Sequence, residues 1–198
     1  LIRQGFGTNN VDHCTRLCHA SSVAALMEGI GSGSVSAPFT AAMDADCIIV
    51  IGARPTENHP VAASYIKQAA KQGATLIVMD PRGQGLMRHA SHPIRHRPGT
   101  DVALLNAMLN VIIDEGLTNA AYIRDHVDGF EALRAKVAGF TPEAMAPICG
   151  VEPETIRAVA HAYATAKAAL IFWGMGISQH VHGTDNARCL IALALVTG

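Results

Sequence analysis

Asp46-Cys47-Ile48-Ile49-Val50-Ile51-Gly52 is the stretch that decides the fold. Its unbroken apolar run is too short for a helix and has no polar alternation. That pattern predicts a short strand buried on both faces, as in a parallel sheet. Ala53-Arg54-Pro55-Thr56-Glu57-Asn58-His59 follows as a polar loop. Pro60 suits the first residue of a helix, having a preset φ and no N–H to lose. That helix runs to about Gln72 and stops at Gly73. Ala74-Thr75-Leu76-Ile77-Val78-Met79 then reads as a second buried strand, closed by Asp80-Pro81-Arg82-Gly83. Strand, helix and strand with such short connections form a βαβ unit. Its right-handed crossover makes the two strands parallel neighbours.

Further along, His92-Pro93-Ile94-Arg95-His96-Arg97 is a weaker extended segment leading into Pro98-Gly99-Thr100-Asp101. Val102, Leu105, Leu109 and Ile112-Ile113 recur at helical spacing until Gly116. Residues 119–126, 130–138, 141–149 and 153–166 read as further helices between glycine and proline breaks. Thr141-Pro142-Glu143 is an ordinary helix start. Ala168-Ala169-Leu170-Ile171-Phe172-Trp173-Gly174 predicts a third buried strand. A loop from Met175 to Asn186 leads to a last helix, Ala187–Thr197. The expected fold is α/β, with a doubly wound, mostly parallel sheet and a helical insertion at about 117–166. Residues 1–45 form an N-terminal segment, and residues 46–198 a Rossmann-like cofactor-binding region.

Composition narrows the function classes. The net charge of -1 gives no bias towards nucleic acid or an anionic membrane surface. Hydrophobic residues at 49% against 16% charged describe a core-rich globular chain, and no apolar run reaches membrane-span length. Five cysteines, an odd number without repeating spacing, argue against a disulfide framework and fit a reducing compartment; the expected location is cytoplasmic. No CxxC pair suggests structural zinc, and His180-x-His182 has no third ligand nearby. The chain starts at Leu1 without a methionine and ends at Gly198 just as its last helix closes, so a piece of a longer polypeptide is expected.

Two features carry chemistry. Val11-Asp12-His13-Cys14-Thr15-Arg16-Leu17-Cys18-His19-Ala20 sets a thiol beside an imidazole at the start of a helix. The helix N-terminus favours thiolate, and an imidazole exchanges protons near neutral pH. A buried structural cysteine beside a capping histidine fits the local spacing equally well. The second feature is the set of loops at the strands' carboxyl ends, where open parallel sheets bind ligands. Gly52–His59, Asp80–Gly85, Pro98–Asp101 and Gly174–Gly183 are polar and glycine-rich. Arg54, Arg82 and Arg97 could face phosphate charge, while Asp80 and Asp101 could accept from ribose or base; Asp80-Pro81-Arg82 also reads as a simple turn with Asp80 capping. There is no G-x-G-x-x-G or G-x-x-x-x-G-K-[ST] motif; Gly174-Met175-Gly176 matches in part and does not lead straight into a helix. A large nucleotide-bearing cofactor held by several loops fits better than an ordinary nicotinamide or ATP site.

Taken in order, Gly7–Asp12, Cys14–His19, Ile51–Pro60, Asp80-Pro81-Arg82, Pro98–Asp101 and Trp173–His180 resemble the molybdenum formate dehydrogenases, and most closely the catalytic subunit of the soluble NAD-dependent type. The resemblance implies bis-molybdopterin guanine dinucleotide with molybdenum or tungsten. Cys18 would be the metal ligand, and His19 the neighbour that handles the proton. Gly52, Arg54, Pro55, Glu57, His59, Asp80, Arg82, Gly99, Asp101, Gly174, Met175 and Gln179 would grip the cofactor. It further implies formate as substrate, an iron–sulfur cluster outside this chain, and iron–sulfur and flavin/NAD subunits as partners. In that family the arginine that contacts formate lies beyond the helix ending here at Gly198; Arg188 lies too early for the role. The fragment alone is expected to be inactive. Two alternatives remain: another bis-molybdopterin enzyme such as a nitrate reductase, and a cofactor-free module with Cys18 merely buried.

Overall fold

The computed structural model describes residues 1–198. Four parallel strands, β1 (Cys47–Ile51), β2 (Thr75–Met79), β3 (His92–Ile94) and β4 (Ala169–Trp173), form one sheet in the order β3-β2-β1-β4. β1 is the central axis. It pairs Cys47 with Thr75 through Ile51 with Met79 on one side, and Cys47 with Ala169 through Ile51 with Trp173 on the other. With neighbours on both edges and layers on both faces, every residue of β1 is buried, as its apolar run requires.

Eight helices of seven or more residues surround the sheet: α1 (Ala20–Ile30), α2 (Pro60–Lys71), α3 (Asp101–Asp114), α4 (Ala120–His126), α5 (Phe130–Val137), α6 (Pro142–Cys149), α7 (Pro153–Ala164) and α8 (Gly183–Thr197). Strand alternation divides the core. Ile48, Val50, Leu76 and Val78 face Ile66 and Ala69 of α2, with Ala42 and Leu86 from two 3-10 turns. Cys47, Ile49, Ile51, Ile77 and Met79 face the opposite way, into the larger core built from α1, α3, α7 and α8. Helices therefore cover both faces, and the sheet is doubly wound.

α3 lies at the centre of that second layer. All nine residues from Leu104 to Ile112 are buried, so it is apolar nearly all round, as a helix enclosed by others must be. Its two buried asparagines are satisfied: Asn110 donates to Val137 O at 3.1 Å, and Asn106 Oδ1 accepts from the Cys189 thiol at 3.3 Å. Helices α4 to α7 follow where residues 117–166 predicted helix.

Two expectations need correcting. β4 is half-buried along its whole length, because it is an edge strand with a partner on one side only. The last helix begins at Gly183, four residues before the predicted Ala187. Gly-Thr-Asp-Asn is a poor helix opening, but tertiary contacts override it. Gly183 packs against the backbone of Ser178, and the Asn186 amide donates to Ile177 O at 3.0 Å.

Candidate active site

Cys18 is the last residue of a single turn, Thr15–Cys18, and His19 is the N-cap of α1. The thiol thus lies one residue ahead of the N-cap of an eleven-residue helix, near the helix start that the sequence predicts. Cys18 and His19 are half-buried, neither sealed in the core nor fully in solvent. By contrast, burial pushes the thiols of Cys47 and Cys189 up to about 12 and raises that of Cys149 as well. Those three are structural core residues. Only Cys14 and Cys18 are accessible, and Cys18 alone sits beside a packed imidazole.

Hydrogen bonds fasten the Cys-His segment to the loop leaving β4. The Ser178 hydroxyl donates to Cys18 O at 3.0 Å, and Ser178 Oγ lies 3.4 Å from His19 Nδ1. Ser21 donates to Ser178 O at 2.6 Å, and the Trp173 indole N–H to Ser22 Oγ at 2.9 Å. These partners are more than 150 positions apart in sequence, with separations of 160, 157 and 151 for the three donor bonds.

Next to this clamp the backbones leaving β1 and β4 cross. Gly176 N–H donates to Gly52 O at 2.9 Å. A Cβ on Gly176 would stand 2.6 Å from Gly52 Cα, and one on Gly174 2.8 Å from Gly52 O. Gly52 itself has φ 59, and its Cβ would stand 2.7 Å from Ile177 N. Only glycine permits this approach. The crossing lies at the carboxyl ends of β1 and β4, the switch point where connections leave to opposite sides and ligands bind in such sheets. Contrary to the sequence reading, Gly174 does lead straight into a helical turn, Met175–Ser178, for which it is the N-cap. Met175 opens that turn and Gln179 closes it as its C-cap, both exposed, while Ser178 between them is buried.

The second cluster sits at the ends of β1 and β2. Arg54 donates to Gly83 O at 2.9 Å and pairs with Glu57 at 3.3 Å. Its Nε is buried 3.7 Å from Asp80 Oδ2, too far for a hydrogen bond. Asp80 Oδ1 accepts from the backbone N–H of Arg82 and of Gly83, each at 2.9 Å, so Asp80 caps its own turn. Gln84 donates to Ala53 O at 2.7 Å and leaves its Oε1 buried and unpartnered. Arg82 is exposed, and Pro55 is the buried first residue of the short turn Pro55–Asn58.

Other expected groups are engaged elsewhere. Asp101 is 4% exposed and accepts from His96 at 3.1 Å, an internal pair at the start of α3. Arg97 caps the end of α6 through the carbonyls of Pro147 and Ile148. Arg188 is held by Glu28 and Asp185. Gly99 is exposed with open space around it, and His59 is exposed at the start of α2. Sequence reading missed Ser21, Ser22, Ser178 and Gln84. Lone serines and glutamines carry no local signal of the partner that folding brings to them.

The residues present fit a large dinucleotide-bearing metal cofactor. Arg54 Nε and Gln84 Oε1 are buried polar atoms without protein partners, which a bound ligand's acceptors and donors would satisfy. The glycine crossing lets backbone approach a ligand where any Cβ would intrude. No cluster of three or more His, Cys, Asp or Glu side chains could enclose an ion, so a metal at Cys18 would need most of its ligands from the cofactor.

The chain is 41% identical over its whole length to formate dehydrogenase H of Escherichia coli, and 40% identical to the F420-dependent formate dehydrogenase subunit alpha of Methanocaldococcus jannaschii. It covers 28% and 29% of those proteins, less than a third of their length. The periplasmic nitrate reductase of Desulfovibrio desulfuricans is 34% identical, with 28% of its length covered. Among solved structures, acetylene hydratase from Pelobacter acetylenicus superposes with a TM-score of 0.84 at 28% identity, covering 93% of this chain and 25% of that one. The Molybdopterin oxidoreductase family profile matches residues 1–198, and the chain belongs to that family.

Proposed function

We propose that this chain is the cofactor-binding and Cys-His part of a formate dehydrogenase that oxidises formate to carbon dioxide. The observation that carries the reading is the half-buried Cys18-His19 pair, docked on the β4-exit turn beside the Gly52–Gly176 crossing. Cys18 would hold the molybdenum or tungsten of a bis-molybdopterin guanine dinucleotide. The Gly52, Gly174, Met175 and Gln179 turns and the Arg54–Asp80 cluster would hold its pterin and nucleotide parts. Pro55, Glu57, His59, Arg82, Gly99 and Asp101 belong to the same assignment by resemblance. Of these, Asp101 would act through the position of its helix, since its carboxylate is engaged by His96.

When bound, the cofactor supplies the two-electron acceptor. The chain's own part is to place an imidazole beside the ligand sulfur. As the C–H bond of formate breaks and carbon dioxide leaves, His19 takes the proton. Formate needs a fixed cation; Arg188, committed to two carboxylates, does not serve, which agrees with an arginine supplied from another part of the protein. Passage of electrons through an iron–sulfur cluster and flavin subunits to NAD, and a cytoplasmic setting, rest on the sequence resemblance. The M. jannaschii relative is F420-dependent by name. No helix is long and apolar enough to cross a membrane.

Nitrate reduction is the second reading, favoured by the 34% identity to a nitrate reductase. His19 weighs against it, because proton uptake beside the ligand is what formate oxidation requires. The test is formate-dependent dye reduction and nitrate reduction by the whole protein, with metal and nucleotide analysis. Formate activity with about two guanine nucleotides per molybdenum or tungsten is expected. Nitrate reduction without formate oxidation would replace the proposal.

A further inference from the structure

We infer that Lys67, Lys71 and Arg88, with the turn that carries His89, form a docking surface for the acidic face of a partner protein. The inference stands apart from the formate reading. Its first ground is the distribution of charge along the chain. Residues 58–100 carry six lysines and arginines against one acid, Asp80, in a chain whose net charge is -1. Asp80 is buried and caps its own turn, so it offers the surface no free carboxylate. α2 has no acidic residue at all. Elsewhere exposed arginines are neutralised locally: Arg124 by Asp125, Arg134 by Glu131, and Arg188 by Glu28 and Asp185. Lys67, Lys71 and Arg88 pair with no carboxylate.

Packing gathers these side chains onto one surface. Lys67 and Lys71 stand four residues apart on α2, so they share a flank of the helix. Leu86, fully buried in one cluster with Ile66 and Ala69 of α2, pins the Gly85–His89 turn to that helix, and Arg88 and His89 follow at its end. The charges reach one another: burial first, then Arg88, Lys67 and Lys71, hold the His89 imidazole below its ordinary value of 6.5. Like charges placed together repel, a cost that an opposing carboxylate surface would reverse. The patch lies away from the proposed cofactor end of the sheet, since α2 runs from the carboxyl end of β1 back to the amino end of β2. β3, the strand at that edge, carries Pro93, which has no N–H to offer an added strand, so contact there would run through side chains. A nucleic acid fits less well. The ring of Tyr65 on α2 packs edge-on against Phe39, with centroids 5.6 Å apart, rather than standing free to stack, and a long polyanion would run onto the acidic remainder of the chain.

The test uses the whole protein and two fluorophore-labelled probes, poly-L-glutamate of about 50 residues and oligothymidylate of matched length, in anisotropy titrations at about 0.05 M and about 0.3 M salt. Poly-L-glutamate is expected to bind at the lower salt and to weaken about tenfold at the higher. Reversing the patch in Lys67→Glu/Lys71→Glu/Arg88→Glu should weaken it by about tenfold or more at the lower salt. Reversing two exposed lysines elsewhere, Lys136→Glu/Lys167→Glu, should change it by less than about twofold. Urea midpoints monitor folding. Should the triple reversal unfold the protein, Lys67→Gln/Lys71→Gln/Arg88→Gln, which only removes charge, is read for the same loss. No binding of poly-L-glutamate at the lower salt, an equal loss in the control pair, or tighter binding of oligothymidylate overturns the inference.

Discussion

The sheet and the Cys-His segment are built on opposite terms. β1 and β2 are buried by their own sequence, with helices on each face and the central α3 enclosed by its neighbours. The first 39 residues bury little: eight of the twelve large apolar side chains left exposed lie there, Leu1, Phe6 and Leu17 most openly. What fixes that segment is the packing of α1 on α8 and a few hydrogen bonds to the β4-exit turn. On the proposed reading, stability and chemistry reside in different parts of the molecule, joined at one glycine crossing. A thiol with the proposed metal-binding role would have to stay reachable, so its surroundings could not be closed in the way the sheet is.

Breaking each part separately would expose the division. Cys18→Ala should abolish formate-dependent dye reduction in the whole protein while leaving the thermal unfolding midpoint unchanged, since a half-buried thiol contributes little packing. Ile49→Ala should do the reverse. It removes a fully buried side chain from the centre of the larger core and should cost about 3 kcal/mol in urea titrations. Turnover per folded molecule should be retained. If Cys18→Ala unfolds the protein as readily as Ile49→Ala does, the two regions are not independent.

The junction should register in both readouts. Gly176→Ala places a Cβ 2.6 Å from Gly52 Cα, a backbone collision that no rotamer relieves. We expect a loss of about 2 kcal/mol together with reduced metal retention. Trp173→Phe is milder. It keeps the ring but removes the indole donor to Ser22, and should cost about 1 kcal/mol.

The same contrast explains what could be read from the chain. The βαβ unit was legible within a residue or two, because a buried strand and a proline-started helix are local patterns: Cys47–Ile51, Pro60–Lys71 and Thr75–Met79 stand where they were expected. The close backbone approach at the carboxyl end of the sheet was legible from Gly52 and Gly174, which must follow the strands they terminate. The serine clamp was not, since Ser21 and Ser178 meet only after folding. Nor was the fate of Asp101. Its carboxylate reads as a free acceptor until the turn at Gly99 brings His96 within 3.1 Å. The early start of α8 was hidden because its first four residues depend on contacts with the Met175–Ser178 turn rather than on their own propensity.

The smallest expected effect tests how the sheet's far end is closed. The Asp46 carboxylate accepts from the backbone N–H of Ala168 at 2.9 Å and of Lys167 at 3.0 Å, tying the entry of β4 to the entry of β1. These bonds, Ala168 first, hold its carboxyl below the ordinary value of 3.8. A lowered acid in the folded state means that the unfolded chain takes up the proton first as pH falls. The clip is therefore fully present above the ordinary carboxylate range and is lost as pH drops through the folded value. The group is exposed, so the whole contribution is on the order of 1 kcal/mol or less. Asp46→Asn keeps one acceptor and loses the charge. Its urea midpoint should lie below wild type at about pH 6, and the gap should narrow at about pH 3. A gap that does not change with pH would mean that the carboxylate's charge plays no part, and that the clip holds by hydrogen-bond geometry alone.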